Sequence, residues 1–231
     1  MHSTSSLAIR PLLRSPRRWL AAALLLVVVA KAQMIVGTNS EAGQFDQSFG
    51  FRGFTFTGVN SFVGRPVDSV SVDISFAKTP DDRFSPPFYQ EITFGLLAVD
   101  AVTQQFKEVL LVNQFSLGVG ADGSSFSGTL KFSDAAAVAV THDPDNLAPG
   151  TFRPVEPLSH LRGTKFDPQL WGLFIEDIQT GAPLAYNSAK LTLDFRPVPE
   201  PSTYALWGTL LLVGAVAGRR VRTRFRVGPH S

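Results

Sequence analysis

The sequence predicts an all-β chain: a jelly-roll-like β-sandwich flanked by an N-terminal signal peptide and a single C-terminal transmembrane helix. Three observations carry that expectation. Between the two ends, apolar residues recur with period two and form no helical stripe. Gly, Pro and Asp cluster between those runs, notably over residues 78–87 and 143–150. Each end combines one short uncharged apolar stretch with a group of basic residues, the pattern of a targeting segment rather than of a core element.

Residues 1–32 read as a signal peptide. Arg10, Arg14, Arg17 and Arg18 precede an unbroken apolar run over 19–30, and Ala30 and Ala32 flank Lys31 as a small-residue cleavage site. That run is too short to cross a membrane, which takes roughly 20 residues. Pro16 before Arg17-Arg18, together with the strongly apolar Leu/Val core, favours the general secretory route over the twin-arginine one.

Residues 33–197 are the body. Phe54-Thr55-Phe56-Thr57, Val70-Ser71-Val72-Asp73-Ile74-Ser75-Phe76, Phe126-Ser127-Gly128-Thr129-Leu130-Lys131-Phe132 and Leu191-Thr192-Leu193-Asp194-Phe195 alternate apolar and polar residues. Such strands turn one face to a core and the other to solvent. Residues 89–99, 106–112 and 135–141 are more continuously apolar or small, as in strands buried on both faces. About nine strands in one domain with little helix point to a sandwich of two sheets. Cysteine is absent, so the fold rests on its core without disulfides. A chain of ~150 residues buries roughly 70% of its extended surface and has enough length to do so. The 19 phenylalanines are expected to fill the space between the sheets. The Phe-rich stretch 45–62, with Gly, Ser and Thr on intervening positions, is also a candidate contact surface.

Residues 198–226 carry the most distinctive motif. Val198-Pro199-Glu200-Pro201-Ser202 leads into an uncharged span over 203–218, followed by Arg219, Arg220, Arg222, Arg224 and Arg226. A Pro-Glu-Pro tripeptide, one apolar span and a terminal arginine cluster resemble the bacterial PEP-CTERM sorting signal, a tail also labelled the ice-binding-protein C-terminal domain. The resemblance implies an exported protein that an exosortase processes at the Pro-Glu-Pro site. The span is about 24 Å long as a helix at ~1.5 Å per residue. Arginine stems that follow the apolar surface extend it toward the ~30 Å of a bilayer core. The five arginines hold that end in the cytoplasm by the positive-inside rule.

A second resemblance lies in the body. Gly150-Thr151-Phe152-Arg153-Pro154, Pro157-Leu158-Ser159, Leu161-Arg162-Gly163, the strand Trp171-Gly172-Leu173-Phe174-Ile175, and Glu176-Asp177 with a turn through Gly181 precede a closing strand over 190–195. This order is similar to the C-terminal half of the P domain (Homo B domain) that accompanies subtilisin-like proprotein convertases. The likeness spans roughly 67–195 and is most specific over 150–195; it implies a jelly roll of eight or nine strands.

Charge and chemistry narrow the function. Residues 33–202 hold 11 basic and all 19 acidic residues, a net charge near −8, which a nucleic-acid phosphate backbone would repel. His142 and His160 are the body's two histidines, and no G-x-S-x-G elbow or H-E-x-x-H spacing accompanies them, so no catalytic residue, zinc site or cofactor is assigned. Asp143, Asp145 and Asn146, with Asp81-Asp82, are the only candidates for calcium, and Leu147 breaks the EF-hand spacing. The expected function is that of a non-enzymatic, membrane-tethered surface or extracellular-matrix protein. Its body would face the periplasm and then reach the cell surface, with an exosortase-type enzyme, the membrane and exopolysaccharide as partners. A glycan- or calcium-binding module is the alternative, and an uncharacterised hydrolase the third.

Overall fold

In a computed structural model, residues 33–80, 88–118, 125–141 and 147–197 are described, together with Gly208, Thr209, Leu211, Leu212 and Gly214 near the C-terminus. Eleven strands are present among the described residues: β1 Gln33–Asn39, β2 Gly43–Phe45, β3 Ser48–Gly53, β4 Thr55–Phe56, β5 Val67–Lys78, β6 Ile92–Val99, β7 Phe106–Val112, β8 Phe126–Phe132, β9 Gly150–Phe152, β10 Trp171–Asp177 and β11 Leu184–Phe195. They form two sheets, an all-β sandwich. The larger sheet runs β4-β1-β11-β5-β8-β9, with β2 also beside β11; the smaller runs β3-β10-β6-β7. All pairings are antiparallel except β8 with β9. The segment Ala32–Pro197 is one compact unit.

The period-two pattern sets the core. On β5, Val70, Val72, Ile74 and Phe76 point inward, and on β11 so do Leu184, Tyr186, Leu191, Leu193 and Phe195. From the smaller sheet, Trp171, Leu173 and Ile175 of β10 stand in register with Ala98, Leu96 and Phe94 of β6. Rings meet between the layers at Phe76 and Phe94, 5.1 Å apart between centroids, and within the larger sheet at Phe76 and Phe126, 4.6 Å apart. A second ring cluster joins Phe195 to Phe62 and Phe166 at one end of the sandwich. Arg65 closes that end by stacking over Phe62 and Phe195 while donating to the Arg196 carbonyl and to Gln33 Oε1.

Several expectations need correction. Residues 135–141 are turns and bends rather than a buried strand, with one bridge from Ala139 to Arg153. Alanines offer too little surface to hold a strand face, and Asp134 is engaged instead in capping residues 158–159 through their N–H groups. The stretch 89–99 is split: Phe88 adopts the left-handed region at φ 47°, and Tyr89–Glu91 is a 3-10 turn before β6 starts. β6 itself is buried on both faces over most of its length, but β7 is not, since Phe106 and Glu108 are exposed. The chain does bend over residues 179–182, with Gly181 at φ 123°, and this turn carries it from β10 in the smaller sheet to β11 in the larger one. β1, β2, β3 and β9 were not expected. β1 escapes the alternation because Met34 and Val36 are apolar on its outer face.

The five residues described near the C-terminus are helical, with Leu211 and Leu212 exposed. Among the described residues no helix is long and apolar enough to cross a membrane. Residues 1–32, most of the expected span 203–218, the Pro-Glu-Pro motif and the arginine tail lie outside the described residues.

Candidate functional site: the outer face of the four-stranded sheet

β3 inverts the usual phase of a sandwich strand. Its sequence Ser48-Phe49-Gly50-Phe51-Arg52-Gly53 sends the two aromatics outward, and leaves Gly50 and Arg52 toward the interior. Phe49 and Phe51 are 66% and 57% exposed. The inversion is possible because Arg52 caps the core edge in place of an apolar residue. Its guanidinium sits 5.2 Å from the centre of the Phe45 ring and 6.0 Å from that of Tyr186, and donates to the Glu41 and Phe51 carbonyls. Burial raises the Tyr186 phenol above its ordinary range, and its hydroxyl donates to Asn39 Oδ1. Asn39 in turn donates to the Gly53 carbonyl, which joins β1 of one sheet to β3 of the other.

Sheet register extends the aromatic surface inward from β3. Phe51 lies opposite Phe174, which lies opposite Gly95, which lies opposite Leu110. Phe174 tilts against both outer rings, 5.4 Å from Phe51 and 6.1 Å from Phe49. Gly95 leaves a gap in the row. A Cβ there would come 3.1 Å from Glu108 Oε1 and 3.5 Å from Phe174 Cβ, so the missing side chain lets the Glu108 carboxylate lie beside the Phe174 ring. The next row, Gly53, Gly172, Leu97 and Glu108, begins with two glycines and is shallow on that side. Glu176, opposite Phe49, supplies a second carboxylate. The result is a shallow shelf of rings bordered by acceptors, a surface on which a flat, hydroxyl-bearing ligand can stack and hydrogen-bond.

The sequence singled out the Phe-rich stretch but not this arrangement. Within that stretch Phe45 and Phe54 are buried, Phe56 and Phe62 are half-buried, and only Phe49 and Phe51 form the shelf. Phe174, Glu108 and Glu176 come from strands distant in sequence. The available signal was Phe174 on the polar phase of β10, where an aromatic is out of place on a solvated face.

His160 is exposed on the 3-10 turn Leu158–Leu161, where its carbonyl accepts from Lys107 Nζ. Among the described residues, an open depression of about 400 Å³ is lined by Ala137, Val138, Ala139, Thr141 and Arg153. Among the described residues no three His, Asp or Glu side chains gather in a way that could hold a metal ion. His142, the calcium candidates Asp143, Asp145 and Asn146, and Asp81-Asp82 lie outside the described residues, as do Ala30, Ala32, residues 198–202 and Arg219 to Arg226.

Among the described residues a charged cluster is interior. Lys78, at the end of β5, reaches Asp177 Oδ2 at 2.7 Å and Glu91 Oε2 at 3.2 Å, all three side chains being buried. Burial pushes both carboxyls above their ordinary range despite the opposing Lys78 charge, and the Asp177 charge raises Glu91 further. In comparisons with known proteins, the chain matches no family model and no curated protein.

Proposed function

We infer that this chain is an exported, membrane-tethered bacterial surface or extracellular-matrix protein, processed by an exosortase-type enzyme, whose jelly-roll sandwich acts by contact and not by catalysis. The Val198-Pro199-Glu200-Pro201-Ser202 motif, with its apolar span and five arginines, supports the sorting route, and Ala30 and Ala32 after the apolar leader support export. The observation that carries the contact role is the exposed shelf of Phe49, Phe51 and Phe174 beside Glu108 and Glu176. A body with a charge near −7 has little reason to expose two neighbouring rings unless something covers them.

Polysaccharide is the partner this chemistry suits. The C–H faces of sugar rings stack on aromatic rings, and their hydroxyls donate to carboxylates. In a pull-down on the purified exopolysaccharide of the producing cells, the parent protein should be retained. The Phe49→Ser/Phe51→Ser variant should bind about tenfold less, since truncating a central aromatic anchor costs upward of ~1 kcal/mol. Its denaturation midpoint should stay near the parent's, because both rings face solvent. Equal retention of parent and variant would remove the shelf from the reading.

A further inference from the structure

Lys78, Glu91 and Asp177 hold a chemistry that the shelf does not use. Lys78 occupies the last inward position of β5, following Val70, Val72, Ile74 and Phe76. Asp177 occupies the last inward position of β10, following Trp171, Leu173 and Ile175. The two sheets thus present an amine and a carboxyl to each other at the end of a shared apolar core. Lys78 pairs in its own sheet with Phe126 and Leu184, and Asp177 pairs with Ile92, all of them buried. Both side chains are fully buried, and Glu91 reaches the same amine from the turn before β6.

A plain ion pair is a poor use of this site. Burying two charges is recovered only when the remaining lone pairs are satisfied. Asp177 Oδ2 accepts from Lys78 and from the Leu184 N–H, but Oδ1 is buried with no hydrogen-bond partner among the described residues. Joining the pair covalently would remove both charges and one oxygen.

We propose that Lys78 and Asp177 condense into an intramolecular amide, with Glu91 as the proton carrier. The Lys78 Nζ–Asp177 Cγ bond forms and one Cγ–O bond breaks. Starting from the ammonium and carboxylate, two protons leave the nitrogen, relayed by the Glu91 carboxyl, and depart with the oxygen as water. The nitrogen keeps one proton as the amide, and no oxidant or cofactor is consumed. A dry interior favours the step, because the product water has no place to remain and hydrolysis needs it back. The raised carboxyls of Glu91 and Asp177 assist, since a protonated carboxyl is the better electrophile and the better proton donor. The link would tie the two sheets together across 99 residues in a chain that has no cysteine to do so. It stands independently of any ligand at the shelf.

Peptide mapping of the full chain purified from producing cells tests it. After trypsin digestion, the peptide carrying Lys78 should be found joined to the peptide carrying Asp177, with a combined mass one water below their sum and no cut after Lys78. Glu91→Gln keeps the shape of the relay but cannot carry the proton, and should leave most chains unjoined. Lys78→Met should leave all of them unjoined. Two separate peptides of full mass in the parent digest would overturn the proposal, whether or not either variant folds. A Glu91→Gln variant joined as completely as the parent would overturn the role given to Glu91.

Discussion

Trp171 shows how one residue can be indispensable for bulk and nearly indifferent in its polar atom. It begins the inward row of β10 opposite Ala98 and is almost wholly buried, while its indole N–H has no hydrogen-bond partner among the described residues. The ring therefore serves by volume. Trp171→Ala should cost about 3–5 kcal/mol in chemical denaturation, as for other large-to-small changes in a packed core. Trp171→Phe removes an unsatisfied donor together with part of the ring, and should cost clearly less than the alanine change. Equal losses would mean that the indole N–H has a partner and a polar role.

At the scale of elements, Asp100 ties the β6–β7 turn to the segment that leads into β10. Its Oδ1 accepts the Val102 and Thr103 N–H groups and its Oδ2 accepts the Lys165 N–H. Burial alone would raise this carboxyl, but the backbone donors outweigh it and hold it at about 2, against an ordinary 3.8. A carboxyl that stays ionised longer in the folded chain stabilises it fully above about pH 4, and loses that effect as pH falls to about 2. Asp100→Asn turns an amide donor toward one of these N–H groups and should cost about 1–3 kcal/mol at neutral pH. The variant should also flatten the loss of stability between pH 4 and pH 2, as followed by denaturation midpoints; an unchanged acid limb would contradict the carboxylate's role.

The elements also mark what the sequence could tell. β5, β8, β10 and the end of β11 were legible because apolar residues recur at every second position and face one shared core, Phe174 being the exception on β10. β3 hid the shelf because period two reports alternation, not which phase faces inward, and an arginine held over two rings replaced the expected apolar side. Lys78 and Asp177 sat in plain view on the inward phase of their strands, yet a charge at a strand end reads as the start of a loop. Their meeting depends on the crossing of two sheets, which no local pattern encodes.

At the scale of the whole molecule, the first strand and the last strand of the body are paired at their outer ends. Gln33 opens β1 directly opposite Phe195, which closes β11, so the chain enters and leaves the sandwich side by side. Cleavage after Ala32 and again within residues 198–202 would remove both apolar ends without taking a single residue from a strand. The mass and both terminal sequences of the chain recovered from the cell surface are the most direct measurement of whether that happens. Export and sorting predict a chain that begins at or within a few residues of Gln33 and ends between Val198 and Ser202. A surface form that still begins at Met1 or still carries Arg219 to Arg226 would contradict it.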